Sequence, residues 1–174
     1  MTKLARWLAI DLGDRRVGLA ISDPEGMIAS PAGFVERRPG KRPPLTALLE
    51  RAAALEARGF VVGLPLDQQG EDSPRALEAR RLAEELSKRT GLPARMVDER
   101  FTTAAALQAI KAMEGSTRGR KGDVDALAAT MLLQHAMRMA EVTASTTEGT
   151  EGTEDTESTR GTANAEDRTG GGNA

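Results

Sequence analysis

Residues 8–23 read Leu8-Ala9-Ile10-Asp11-Leu12-Gly13-Asp14-Arg15-Arg16-Val17-Gly18-Leu19-Ala20-Ile21-Ser22-Asp23, two apolar runs joined by a short turn containing Gly13. The pattern predicts a hairpin of buried strands with a carboxylate, Asp11, at the end of the first. An ionised carboxylate in such a place is costly unless a cation or a set of donors compensates it. Asp11 is therefore either a ligand for a divalent metal or a turn aspartate accepting backbone hydrogen bonds around Gly13.

Working outward, residues 4–11 and 16–22 are the expected strands, with a third over 28–36 after the Asp23-Pro24 turn. Arg37-Arg38-Pro39-Gly40-Lys41-Arg42-Pro43-Pro44 is a basic, proline-broken loop. Leu45, Leu48, Leu49, Ala52 and Leu55 recur at helical spacing, predicting a helix over 45–58 that stops at Gly59. Phe60-Val61-Val62-Gly63-Leu64 is the continuous apolar run of a buried parallel strand. Ser73 as N-cap and Pro74 at the first position open a helix to about Thr90, stopped by Gly91. A strand over 93–98 follows, then a helix capped by Thr102 or Thr103 and running to about Met113. A glycine-rich basic loop over 115–122 leads into a last helix over 123–139. This order predicts an α/β domain: a five-stranded mixed sheet, begun by a hairpin and extended by βα units, with helices on both faces.

The 174 residues suffice for one domain with a real core. The absence of cysteine excludes disulfides and thiolate ligation, and the single histidine, His135, excludes a multi-histidine zinc site. A metal site must then use oxygen ligands, which suits Mg2+ or Mn2+. No run has the length of a membrane span and the start lacks a secretory signal, so the expected setting is cytoplasmic. The net charge of −2 conceals two regions. Residues 141–174 are Thr, Gly and Glu in near-repeats, expected to form a disordered acidic tail. Removing its 8 acidic and 2 basic residues from the totals of 26 and 24 leaves residues 1–140 with 18 against 22, a mildly basic body suited to a polyanionic partner.

Reactive crevices of open α/β sheets lie beyond the carboxyl ends of the strands. Asp11 ends the first strand, Asp98-Glu99 the last, and Asp123 and Asp125 stand at the start of the final helix. Three acidic positions at such edges are what a two-metal phosphodiesterase site requires, and their mutual repulsion implies a cation. Asp98 and Glu99 point to opposite sides of an extended chain, and Glu99 is assigned the metal. Asp123 is read as the helix N-cap and Asp125 as the acid facing the cleft, although a first-turn acid also complements the helix dipole.

Ile10-Asp11-Leu12-Gly13, Arg16-Val17-Gly18-Leu19-Ala20, Val62-Gly63-Leu64-Pro65, Asp98-Glu99-Arg100-Phe101-Thr102-Thr103 and Lys121-Gly122-Asp123-Val124-Asp125-Ala126-Leu127-Ala128-Ala129 occur in that order. Together they closely resemble the YqgF/RuvX family, bacterial proteins similar to the Holliday-junction resolvase RuvC, over residues 4–140. The resemblance implies an RNase H-like fold and a divalent-metal-dependent nuclease linked to trimming of the 16S ribosomal RNA precursor. It implies Asp11, Glu99 and Asp125 as the catalytic, metal-holding triad. In the fold's usual strand order the 61–64 strand separates Asp11 from Glu99. The site then closes only if Gly63 and Pro65 leave room, and Asp67 is a spare candidate ligand.

On the substrate side, Arg16 is a phosphate contact or an ordinary surface arginine of a strand. Arg100 contacts the scissile backbone or braces the acids, and Thr102 and Thr103 match family positions or cap a helix. Arg118, Arg120 and Lys121 form a basic loop that tracks a nucleic-acid backbone or is simply solvated. With three Phe and one Trp, recognition is expected to rest on shape and phosphate rather than on base stacking. The leading expectation is a nuclease acting on structured RNA of a ribosomal precursor. A resolvase of four-way DNA junctions is the first alternative, for which a homodimer rather than a monomer is suited. A ribosome-assembly factor with an inactive site is the second. Asp11-Leu12-Gly13 is also similar to the phosphate loop of actin-like ATPases, but residues 1–140 are too short for two such lobes.

Overall fold

In the computed structural model, which describes residues 6–67, 69–99 and 121–147, the opening hairpin forms as β1 (Trp7–Leu12) and β2 (Arg16–Ser22). The Gly13 N–H donates to the Arg16 carbonyl at 3.0 Å to close the turn. The antiparallel register sets Asp11 opposite Gly18. After a turn organised by Asp23, whose Oδ1 accepts from the Met27 and Ile28 N–H groups at 2.6 and 3.0 Å, β3 (Ala29–Glu36) returns along β2. The chain continues through α1 (Leu45–Ala54), β4 (Gly59–Leu64), α2 (Pro74–Thr90), β5 (Ala94–Asp98) and α3 (Lys121–Thr147). The sheet order is β3-β2-β1-β4-β5, with β1, β4 and β5 mutually parallel. This is the five-stranded mixed sheet that the sequence predicts.

Alternation along the strands divides the core. Leu8, Ile10, Val17, Leu19, Phe60 and Val62 face α1 and α2, where they meet Leu48, Leu82 and Leu86. Trp7, Ala9, Ala20 and Val61 face α3 and meet Ala129, Leu132, Leu133 and Ala136. β1 and β4 are central and covered on both sides, which is why they read as unbroken apolar runs. Each large side chain so buried stabilises the fold by roughly 1.5–3 kcal/mol.

The α2 boundaries match the sequence signals: the Ser73 hydroxyl accepts from the Ala76 N–H, and Gly91 takes a left-handed conformation. α1 ends earlier than predicted. Glu56, not glycine, adopts φ +53, with the Glu56 N–H bonded to the Ala53 carbonyl and the Ala57 N–H to the Ala52 carbonyl. That paired closure is a Schellman ending, and it turns Ala57 into the core. Gly59 is required for a different reason, because a Cβ there would stand 2.6 Å from the Trp7 ring.

The last helix also differs from expectation. It is already helical at Lys121, so Asp123 lies inside α3 and is not its N-cap, and Lys121 and Gly122 belong to the helix rather than to the preceding loop. It runs on through Thr147, into the segment expected as tail. The helix predicted to end near Met113 lies outside the described residues.

Candidate active site

β1, β4 and β5 end at one edge of the sheet, and the first turns of α3 cross the same edge. Asp11 follows Trp7 and Ala9 in alternation, so it belongs to the α3 face. Glu99 follows Val97 on that face, whereas Asp98 follows Ala94 and Met96 toward α1 and α2. The division between Asp98 and Glu99 is thus the one expected. All three candidate carboxylates, Asp11, Glu99 and Asp125, are partly buried.

Two glycines flank Asp11 and allow the other two acids to approach. On one side stands Gly18, its partner in the β1–β2 ladder. A Cβ on Gly18 would collide with the backbone carbonyl of Asp125 and lie 3.3 Å from the Ala126 nitrogen. On the other side, one step past the Ile10–Val62 pair, stands Gly63. A Cβ there would collide with Oε1 of Glu99. The strand between Asp11 and Glu99 therefore does leave room at Gly63, the first of the two positions on which the strand order makes the site depend. Gly18 escaped sequence reasoning, although an isolated glycine in the Val17-Gly18-Leu19 run was an available signal of close backbone approach.

Arg16 lies near the candidate acids. Its Nη1 stands 3.8 Å from Oδ2 of Asp125, with side-chain exposures of 30% and 25%, and its guanidinium lies 5.0 Å from the Phe34 ring centroid. The stacking fixes the guanidinium plane while the carboxylate receives its charge. Asp67 is engaged elsewhere: its Oδ1 accepts from the Glu71 N–H at 2.7 Å and shapes the loop after β4. Arg100, Thr102, Thr103, Arg118 and Arg120 lie outside the described residues. Among the described residues, no three His, Cys, Asp or Glu side chains stand close enough together to hold an ion. The donor chemistry nevertheless suits a hard divalent cation, being carboxylate oxygen throughout. The space over Gly63 that Glu99 occupies also lets its carboxylate lie directly against the sheet, on the strand next to that of Asp11.

A mixed sheet in the order 3-2-1-4-5, with candidate acids at the carboxyl ends of the first and last strands and on the closing helix, defines an RNase H-like protein of the RuvC type. The structure of Thermus thermophilus RuvC in complex with a Holliday junction substrate shares the fold, at TM-score 0.51 and 16% identity over 78% of this chain and 96% of that one. The model of the RuvX family, described as Holliday junction resolvase, matches residues 5–139, and the chain belongs to that family. A Clavibacter michiganensis protein named "Putative pre-16S rRNA nuclease" is 36% identical, covering 82% of this chain and 89% of its own. A Koribacter versatilis protein of the same name is 43% identical over 74% of this chain and 84% of its own.

Proposed function

We propose that this chain is a divalent-metal-dependent nuclease that hydrolyses phosphodiester bonds in the precursor of 16S ribosomal RNA. The observation that carries the reading is the placement of Asp11, Glu99 and the Asp125 backbone around Gly18 and Gly63 at one sheet edge. The names of the relatives supply the substrate. Asp11, Glu99 and Asp125 are the residues that would hold Mg2+ or Mn2+. When bound, such ions activate a water and stabilise the leaving oxygen of a phosphodiester.

The chain's own residues prepare that chemistry. Carboxylates brought together without a cation repel one another. Arg16 therefore serves Asp125 as a built-in counter-charge, held by Phe34. From this position the Arg16 guanidinium would also reach a phosphate of the strand to be cut. Its planar fork suits a phosphate oxygen pair. Arg100, Thr102, Arg118, Arg120 and Lys121 are assigned to the flanking backbone. No helix among the described residues is long and apolar enough to cross a membrane.

The family description favours one second reading, cleavage of four-way DNA junctions by the same carboxylates. The test is incubation of the purified chain with Mn2+ or Mg2+ on precursor ribosomal RNA, single-stranded RNA and a four-way DNA junction, with Asp11→Asn alongside. Metal-dependent cleavage of the precursor, abolished in the variant while its melting temperature and RNA binding persist, is expected. Preference for the junction would select the second reading. Full activity of Asp11→Asn would refute the carboxylate site.

A further inference from the structure

The basic loop after β3 has no part in the carboxylate site, yet its construction is unusually fixed for a surface loop. Arg38-Pro39-Gly40-Lys41 closes with the Lys41 N–H on the Arg38 carbonyl at 3.1 Å, and Gly40 takes φ +68. Proline and left-handed glycine at the two central positions are the pattern of a type II turn. The loop is tied to its neighbours by Arg37, whose side chain is 9% exposed. Its guanidinium donates to the Gly13 carbonyl at 3.3 Å, to the Lys41 carbonyl at 2.8 and 3.1 Å, and to Glu78 at 2.5 Å. The Arg37 N–H also bonds the Arg15 carbonyl at 2.8 Å. One arginine is thus spent on structure, and it holds the loop against the turn that follows the strand of Asp11.

The remaining cations are spent on nothing internal. Arg15, Arg38, Lys41 and Arg42 are exposed, and among the described residues none of them forms an ion pair. Contrast the groove of about 800 Å³ between the start of α1 and α2, which of these four only Arg42 reaches, at its rim. There Arg75, Arg81 and Arg89 alternate with Glu78, Glu84 and Glu85. Arg75 is paired with Asp14, and Arg89 lies 3.8 Å from Glu85. The groove is locally compensated; the turn is not. A cluster of uncompensated cations on a fixed loop loses little backbone freedom on meeting a polyanion, and its field attracts one.

We infer that Arg15, Arg38, Lys41 and Arg42 form a phosphate-contact surface for RNA flanking the cut, on the β3 side of the sheet edge that carries Asp11. The inference rests on the nuclease reading for its substrate and adds a second point of attachment outside the carboxylate site. The contacts are to backbone, so they position the strand without selecting its sequence.

Each phosphate neutralised contributes about 0.7 to 0.9 to the slope of log affinity against log salt. The test is fluorescence anisotropy of a labelled RNA duplex with a single-stranded extension, in EDTA so that nothing is cut, over a salt series. Arg38→Gln with Lys41→Gln should lower the slope by roughly 1.4–1.8. The charge-preserving pair Arg38→Lys with Lys41→Arg should retain it. Arg58→Gln with Lys88→Gln removes the same charge from exposed positions at the opposite edge and should leave the slope unchanged. Equal loss in both neutralised pairs, or no loss in either, overturns the inference. In the latter case, cleavage by the wild type that is lost in Asp11→Asn leaves the nuclease reading standing. Wild-type protein that binds without cutting, with the slope reduced only at Arg38 and Lys41, refutes the nuclease reading and upholds this surface. Failure of the wild type to bind RNA overturns both.

Discussion

Gly63→Ala separates the candidate site from the fold that carries it. The added methyl would enter the space held by Glu99 Oε1, while its next neighbours, the Glu99 Cδ and Leu132 Cδ2, lie at 3.3 and 3.4 Å. The obstructing atom is the far end of a flexible side chain, so the sheet keeps its course and Glu99 yields. To regain ordinary van der Waals separation the carboxylate must retreat by about 1 Å. A misplacement of that size at a reacting centre costs roughly 10²-fold in rate, or about 2.7 kcal/mol of barrier. For stability, alanine in a strand is favoured over glycine by about 0.5–1 kcal/mol, which offsets the pressure on Leu132. The net change is within about 1 kcal/mol, a Tm shift of no more than about 4 °C. The assay pairs kcat/KM on precursor RNA with calorimetric melting of the same samples. Unchanged cleavage at unchanged Tm would show that Glu99 does not act from this position. A Tm loss of ten degrees or more would show that the methyl meets backbone, and the account of Gly63 would fall.

Gly18→Ala should behave oppositely, because its methyl meets the Asp125 and Ala126 backbone, which cannot step aside. Overpacking of about 1–3 kcal/mol is expected in denaturant melts, together with loss of cleavage. Arg37→Ala removes the donors to Gly13, Lys41 and Glu78 and should cost about 2 kcal/mol by urea titration, discounted for the partial exposure of Glu78. Asp23 is held below the usual carboxylate range, first by the Ile28 N–H; desolvation opposes this and outweighs the Met27 N–H alone, but the N–H donors together prevail. A depressed folded-state value means that its contribution is present above the unfolded pKa and is lost as pH falls through the folded one. The Tm deficit of Asp23→Ala should therefore be largest near neutrality and shrink in acid; a pH-independent deficit would contradict this.

Local signals specified much of the architecture. The apolar runs around Gly13 and over 60–64 marked the two central strands, and Ser73-Pro74 and Gly91 bounded α2, because burial and capping are written in adjacent residues. The split of Asp98 from Glu99 followed from the two-residue period of a strand. What escaped were features set by tertiary contact. The early end of α1 depends on Ala57 reaching the core, which draws Glu56 into a left-handed conformation that no composition rule assigns to glutamate. The Arg16–Asp125 pair joins residues distant in sequence, and only the seating of α3 on Gly18 makes them neighbours. Asp123 looked like a cap because aspartate favours that position, whereas the helix begins no later than Lys121.

The two halves of the core are built from unlike material. The side facing α1 and α2 is filled mainly by Leu, Ile, Val and Phe with Ala52, Ala57, Ala79 and Ala83 between them, while the α3 side sets Ala9, Ala20, Ala129 and Ala136 around Trp7, Leu132, Leu133 and Met137. Small side chains let the helix backbone come down onto the strand, but they surrender little apolar area in doing so. α3 lies across β1, β2 and β3 at once, so Asp125 stands on the helix most broadly seated on the sheet, and its place at the site holds only while that seating holds. Catalytic competence is then tied to one packed face, and loosening of α3 alone would silence cleavage while the α1 and α2 side of the core stayed closed.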